Sequence, residues 1–522
     1  MKRRFKFRPK LNSISAAFMA ALFCISVPAH AEPVRITTPT GLDLFGEVLG
    51  YDGTYLRLDT PEFGILTLSY AGTICEGLRC PIENGPAELR FAGSTRIGEV
   101  LLPALVEAFG RAKGWNVQAT DQTTALQYLV GPVGAPILKV DFILSDPQSA
   151  FTQQIEGKID IVMSDRPASP DEVAQSIQAG FGAPTSSGRS RIIALDALVP
   201  VASPAQSVHT ISLDDLAAVF RGDIVNWDQL GGEDIPIHPM LPDASSGQIR
   251  GFEELLLSDS AKRADITRVP SMTDLATTVT DDIGGLGVSP MGAFGNATPL
   301  VLQDVCGLRS VPRLTALKTG DYPLTLPLYL YLPGYRIAPE AREFVNWLQS
   351  HQAQAVIRRA GFVDQGAVPI GLDVQGERLA NAIMLAGQSV PLSDLQDMLR
   401  QLDGHARLSP TFRFAEGSTA LTPVSKSNLV YLAKAIRDGL YNGRHLALVG
   451  FSDGNGPADA NRTLSLTRAD SVLAELRTLL GGDIPEGVVI DTLGFGEALP
   501  MGCDETHWGR RMNRRVELWI DG

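Results

Sequence analysis

The chain has 522 residues, 44% hydrophobic and 20% charged, with 51 Gly and 34 Pro; this is length for roughly two to four domains, and the composition excludes a disordered or fibrous chain. A formal charge of −13, from 45 basic against 58 acidic residues, excludes a general nucleic-acid or anionic-membrane surface. Any anionic partner must be met by a local site.

The N-terminus departs from this average. Lys2, Arg3, Arg4, Lys6, Arg8 and Lys10 precede an apolar stretch over residues 15–27 and the small-residue sequence Ala29-His30-Ala31. That order predicts a secretory signal peptide, residues 1–31, cleaved after Ala31. The apolar run is shorter than the ~20 residues of a spanning helix, and Cys24 lacks the context of a lipoprotein cleavage site. No later segment reads as a membrane span, and the long, regularly spaced alternating strands of a membrane barrel are missing. Export to the periplasm is expected, and loss of the six basic residues leaves the remainder still more acidic.

Residues 32–85 hold short β-rich pieces at 34–36, 42–48, 55–58 and 65–69, separated by Gly-containing turns. They predict a small antiparallel, SH3-like module without a chemical constellation of its own. Export also puts cysteines where disulfides persist. Cys75 and Cys80 form a Cys-x4-Cys loop beside Pro81, best read as a turn-closing disulfide, since no second ligand pair lies nearby to make a metal site. Cys306 and Cys503 are far apart in sequence and are open to three readings: free, bridged or buried.

Residues 86–365 alternate short apolar strands with amphipathic helices. A strand over 89–92 leads through Gly93-Ser94-Thr95 into a helix with Ile97, Val100, Leu101, Leu105, Ala108 and Phe109 on one face. Such a turn aims N–H groups and hydroxyls at one spot, which suits an anion, although Gly-Ser-Thr is equally good helix-start chemistry. The run from Gln154 to Pro167 gives a helix end, a strand and the polar cluster Ser164-Asp165-Arg166 at the strand's carboxyl end, a usual place for a ligand crevice. Ala194 to Pro200, Phe220-Arg221-Gly222-Asp223, Asn226-Trp227, Ser245-Ser246-Gly247-Gln248 and Pro327-Leu328-Tyr329-Leu330-Tyr331 follow, and a long helix over 341–360 is expected to close the domain.

In their order these pieces resemble the phosphate-binding proteins of ABC transporters, within the two-lobed periplasmic binding-protein fold of type II. The resemblance implies a cleft that holds a dehydrated oxyanion by hydroxyls, helix N-terminal amides, an arginine and an acceptor aspartate. The matching positions are Ser94, Thr95, Ser149, Asp165, Ser246 and Gly247; capping and turn formation would use the same residue types. Two departures stand out. Ser145-Asp146-Pro147-Gln148-Ser149 replaces a Gly-Ser-Gly-rich turn, and Leu241-Pro242-Asp243-Ala244 stands where the family carries an arginine. Extra carboxylates without that guanidinium weaken a dianion site; Arg166 and Arg250 are the substitutes by position.

Residues 366–407 read as a connector with a helix over 392–402. Beyond it, strands at 411–414, 446–451, 488–493 and 516–520 alternate with a helix containing 427–436 and another ending near Leu480. Gly450-Phe451-Ser452-Asp453, Asn461, Arg468-Ala469, Gly494-Phe495-Gly496-Glu497 and the run from Arg510 to Glu517 lie between and along them. Together they resemble the OmpA-like peptidoglycan-binding domain, over residues 408–522 and with an α+β sandwich fold. The resemblance implies that Asp453 and Arg468 grip the ammonium and carboxylate of a diaminopimelate stem peptide, a pairing of charges that complements that zwitterion. Asn461, Asn513 and Arg514 would shape the pocket. A surface ion pair is the plainer reading of Asp453 and Arg468, and a solvated face that of Arg510, Arg511, Arg514 and Arg515, with strand alternation sending Arg514 and Arg515 to opposite sides.

No Gly-x-Ser-x-Gly nucleophile motif, His-Glu-x-x-His helix or phosphate-loop lysine occurs, and neither catalysis nor a cofactor is expected. The sequence therefore predicts a multidomain α/β envelope protein, wall-associated at the inner face of the outer membrane. It would bind peptidoglycan through its last domain and present a solute-binding domain for phosphate or another small oxyanion, with an ABC transporter or envelope protein as partner and no nucleic acid. The alternative is a two-lobed domain that has lost its ligand and serves as a structural or docking module.

Overall fold

The structure of the chain, a computed structural model, describes residues 33–522 except 52, 78–79, 81–84, 123–124, 187, 244–246, 258–264, 387–389 and 415–419. The expected signal peptide and Ser246 lie outside the described residues. Among the described residues no helix is long and apolar enough to cross a membrane.

At the N-terminus, Val34–Thr37, Asp43–Tyr51, Tyr55–Thr60 and Gly64–Ser69 form an antiparallel meander, and Ile74–Glu76 returns to pair with the first strand. The alternation buries Val34, Ile36, Leu44, Leu56 and Leu58 on one side. Cys75, in the last strand, is joined by a disulfide to Cys80 just beyond it.

The two-lobed region is organised by one strand, Ser190–Ala202, whose thirteen residues are almost continuously buried. Its first half pairs antiparallel with Thr325–Tyr331 in one lobe and its second half with Gly285–Pro290 in the other. A near-unbroken apolar run is what a strand covered on both faces requires. Lobe one adds the parallel strands Leu138–Leu144, Ala87–Gly93 and Ile161–Ser164; lobe two adds His238–Pro242 and Thr267–Val269. Asp196, near the middle of the shared strand, therefore stands where the lobes meet.

Two helical expectations in this region are corrected. The residues after Ser94 begin as a π-type turn, Ile97–Leu101, before the α-helix Leu102–Lys113. The wider turn shifts the apolar face, so Ile97 and Leu101 are buried while Val100 is 42% exposed. The expected helix over 341–360 is two helices, Pro339–Trp347 and His351–Arg359, because the Ser350 side chain accepts from the Ala353 N–H and starts a new helix.

In the C-terminal sheet the strands run Pro369–Ile370, His405–Arg413, Arg515–Asp521, His445–Phe451 and Val489–Gly494. Leu446 and Leu448 face the helices Pro423–Arg437 and Ala458–Leu480. Ala447, Val449, Phe451 and Trp519 face the opposite way, onto Leu395, Met398 and Leu402. The helices Gly376–Met384 and Leu392–Leu402 thus form a third layer on this sheet, and Pro369–Ile370 supplies its edge strand. The strand expected at 411–414 starts at His405, with a register shift between Leu408 and Thr411 that accommodates Pro410.

This unit is joined to both lobes. Cys306 of lobe two and Cys503 are bonded, and Asp304 accepts from the Cys503 N–H at 2.7 Å. Ser427 donates to Gln365 at 3.0 Å, and Gln354 contacts the Tyr431 hydroxyl at 3.4 Å.

Candidate functional site

Two polar centres emerge, one between the lobes and one at the end of the C-terminal sheet. The first begins at Gly93, in a left-handed conformation (φ +126°), where a Cβ would lie 2.0 Å from the Met163 carbonyl oxygen. Only glycine permits that approach, which brings Ser94 beside the end of the strand Ile161–Ser164, where Asp165 follows. Ser94 Oγ donates to Asp165 Oδ2 at 3.0 Å. The backbone N–H of Gln248, on the helix Gly247–Leu257 of the other lobe, also favours the ionised carboxylate. Burial nevertheless dominates and raises the Asp165 pKa. Asp165 is 2% exposed, and its Oδ1 has no hydrogen-bond partner among the described residues.

Beside it, Asp196 is fully engaged across the cleft. Arg96 Nε from lobe one and Gln248 Nε2 from lobe two both donate to its Oδ2 at 3.0 Å, and Oδ1 accepts from the Ala197 N–H. The Arg96 guanidinium also lies 4.7 Å from the centroid of the Phe362 ring. Further out, Arg250 Nη1 reaches Gln148 Oε1 at 3.4 Å, another contact between lobes.

The second centre follows the strand His445–Phe451. A Cβ on Gly450 would stand 1.9 Å from the Ser465 carbonyl oxygen, so the helix Ala458–Leu480 lies directly on this strand. Arg468 on that helix is thereby held near Asp453. Asp453 is 7% exposed and accepts from Arg514 Nη1 at 2.8 Å. Arg468 is 9% exposed, its guanidinium carbon 5.7 Å from the Phe414 ring centroid. Its Nη1 is buried without a hydrogen-bond partner among the described residues. Burial lowers the Arg468 pKa; Asp453 pulls it back up and Arg514 opposes.

Asn513 fixes the floor of this centre. Its Oδ1 accepts from the Met501 and Gly502 N–H groups, and its Nδ2 donates to Gly502 O and to Asp504 Oδ1. Asp504 also accepts from the Gly454 N–H at 2.8 Å, and burial raises its pKa. Asn461 donates to Glu497 Oε1 at 2.8 Å. One carboxylate held by a guanidinium thus sits beside a second guanidinium with a spare donor.

A family model described as PBP superfamily domain matches residues 81–352, half of the chain. The chain belongs to that superfamily. An OmpA family model matches residues 413–514, so the PBP domain is followed by an OmpA domain. The chain is similar to protein SphX of Synechococcus elongatus, 26% identical over 271 residues, which are 49% of this chain and 78% of that protein. It is 28% identical over 189 residues to the phosphate-binding protein PstS of Bacillus subtilis, covering 36% of this chain and 60% of the relative. The probable lipoprotein YiaD of Escherichia coli is 31% identical over 155 residues, 30% of this chain and 65% of YiaD. A crystal structure of an ABC-type phosphate transport receptor from Vibrio cholerae aligns with 53% of this chain and 100% of its own, at a TM-score of 0.43 and 18% identity.

Within the PBP domain, the structure brings Ser94, Asp165 and the start of the helix at Gly247 together. Thr95 is exposed on the turn. Ser149 acts in the local cap of its helix, its N–H on Asp146 and its Oγ accepting from Gln153 at 3.3 Å. Arg166 does not stand in for the missing arginine: it is buried in a two-pronged pair with Glu172 at 2.6 and 2.9 Å. Within the OmpA domain, Arg514 caps the helix His507–Asn513 and pairs with Asp453, while Arg515 opens the last strand and belongs to no solvated face. It is fully buried against Glu517 and the Leu499 carbonyl. The sequence reading missed Arg96, Asp196, Gln248 and Asp504. Arg96 and Asp196 are lone polar residues, and Gln248 ends the Ser245-Ser246-Gly247-Gln248 run whose earlier residues drew the assignment; their convergence depends on the shared strand, and Asp504 sits in a loop with no motif.

Among the described residues one group has metal-ligating character, Asp304 with Cys306 and Cys503. Its two sulfurs are joined in the disulfide.

Proposed function

We propose that the protein is a noncatalytic, exported envelope protein whose OmpA domain grips peptidoglycan and whose PBP domain faces the periplasm, with residues 1–31 as the cleaved signal. The observation that carries this reading is the buried Arg468 guanidinium, with Nη1 unpartnered, beside an Asp453 already oriented by Arg514. Desolvating a guanidinium without completing its hydrogen bonds is unfavourable unless an anion arrives to complete them. A stem-peptide carboxylate on Arg468, with the neighbouring ammonium on Asp453, completes both. Asn513 and Arg514 position this pair, and Asn461 with Glu497 supports its rim.

Cosedimentation with purified peptidoglycan tests the reading. Asp453→Ala and Arg468→Ala are each expected to leave the protein in the supernatant while circular dichroism stays unchanged. Pelleting of both folded variants like the wild type would remove the assigned pocket.

For the PBP domain, the proposed ligand is phosphate or another small oxyanion bearing a proton, with the helix start at Gly247 and the Ser94 hydroxyl, turned from Asp165 to the ligand, as donors and Asp165 as acceptor. The orphaned Asp165 Oδ1 supports it. A second reading, a cleft that has lost its ligand, is favoured by Asp196, which already engages Arg96 and Gln248 from opposite lobes. Calorimetry of the full chain with inorganic phosphate separates the two: heat that disappears in Ser94→Ala supports capture, and no heat supports the closed cleft.

A further inference from the structure

A second cluster of guanidinium groups lies where the PBP and OmpA domains meet, away from the cleft between the lobes and adjoining the floor of the second centre at Met501 and Asn513. Asp321 of the PBP domain pairs with Arg407 at 2.8 Å and with Arg413 at 2.9 Å. Glu517 pairs with Arg515 at 2.7 Å, with Arg378, and with Arg407 at 3.5 Å. Four guanidinium groups therefore share two carboxylates, leaving two positive charges in excess. The side chains of Arg378, Arg407, Arg413 and Arg515 are between 0% and 14% exposed.

Carbonyl oxygens satisfy part of this set without neutralising it. Arg413 donates to Met512 O and Gly320 O, and Arg515 to Asn513 O and Leu499 O. Arg378 and Arg407 are less complete: the buried Nε of Arg378 has no hydrogen-bond partner among the described residues, and that of Arg407 has only the longer ion-pair contact to Glu517 at 3.5 Å. Both line a cavity of about 180 Å³ at the domain seam. Arg309 and Arg313 of the PBP domain, both exposed, line the same cavity. Glu377 and Asp321 are the acidic residues of its wall. In a chain with a formal charge of −13, four arginines around one cavity run against the overall balance.

Buried excess charge is unfavourable unless a counter-charge is close. Guanidinium groups present paired donors that match the oxygens of phosphate or carboxylate. We propose that the seam cavity is an anion site, separate from the cleft between the lobes, for a small oxyanion with at least two negative charges. The shared chemistry is that of a polyphosphate or a polycarboxylate. Because Arg309 and Arg313 come from one domain and Arg378 and Arg407 from the other side of the seam, the bound anion fastens the two domains together.

The test uses the full chain with disulfides intact, titrated separately with inorganic pyrophosphate and with citrate at constant ionic strength, followed by calorimetry and thermal unfolding. At least one of the two is expected to bind saturably and raise the Tm, and which one does identifies the class. Arg309→Gln with Arg313→Gln, a surface change, is expected to weaken that binding at least tenfold. Asp165→Asn, in the cleft, is expected to leave it unchanged. The proposal is overturned if neither anion binds saturably, if the double variant binds like the wild type, or if Asp165→Asn abolishes binding. The last result would place the anion in the cleft.

Discussion

Asp165 and Arg468 are charged groups that folding has placed in poor solvation, and each pays for this in stability while the rest of its surroundings are well bonded. For Asp165 the direction is fixed by burial, which raises its folded-state pKa above the ordinary carboxylate value. The folded state then holds the proton more tightly than the unfolded chain, so stability falls as pH rises through that window and the penalty is complete above the raised value. Asp165→Asn keeps an oxygen for Ser94 and removes the charge. It is expected to raise stability at pH 7 by about 1 kcal/mol or more, with a smaller gain at pH 4, measured by urea unfolding at both values. An unchanged or lowered midpoint at pH 7 would contradict a net penalty from the buried carboxylate. Both residues stood out in the sequence because short motifs surround them. Asp196 did not, since nothing near it in sequence signals Arg96 or Gln248.

Elements position these groups through a few close contacts. Gly450 lets the helix Ala458–Leu480 rest on its strand, and that docking sets the distance from Arg468 to Asp453. Gly450→Ala forces a Cβ against the Ser465 carbonyl. It is expected to cost about 1–3 kcal/mol and to weaken wall binding as the helix is pushed outward, read by denaturant unfolding and cosedimentation of the same sample. The strand and helix faces were legible because alternation and the 3.6-residue period survive in the sequence: Leu446 and Leu448 turn one way, Ala447 and Val449 the other. The break at Ser350 was less legible, since Leu348 and Ala353 keep an apolar pattern running across it while a local hydroxyl cap decides the geometry. The layer role of Leu392–Leu402 was likewise hidden, because an amphipathic helix does not say which sheet it covers.

At the scale of the whole molecule, the PBP and OmpA domains are held together by a disulfide and a buried ion network whose members are remote in sequence. Cys306 and Cys503 are 197 residues apart, and nothing in the spacing of cysteines could pair them. Asp321 and Glu517 have folded-state pKa values driven below the ordinary carboxylate range by Arg407, Arg413, Arg378 and Arg515, against the opposing effect of burial. Their contribution is present above the unfolded value and is lost as pH falls through the folded one, opposite in sign to that of Asp165. Asp321→Asn leaves Arg407 and Arg413 undercompensated and is expected to cost about 3–5 kcal/mol, seen as a lowered Tm at pH 7 and as faster proteolysis between the domains. The central claim is that the OmpA domain recognises a carboxylate next to an ammonium, and the most direct measurement is calorimetry of the full chain with a soluble, uncrosslinked diaminopimelate stem peptide and its side-chain carboxamide. Saturable binding of the acid, at least tenfold weaker for the carboxamide and absent in Arg468→Ala, is the expected result; equal binding of acid and carboxamide, or full binding by Arg468→Ala, would contradict it.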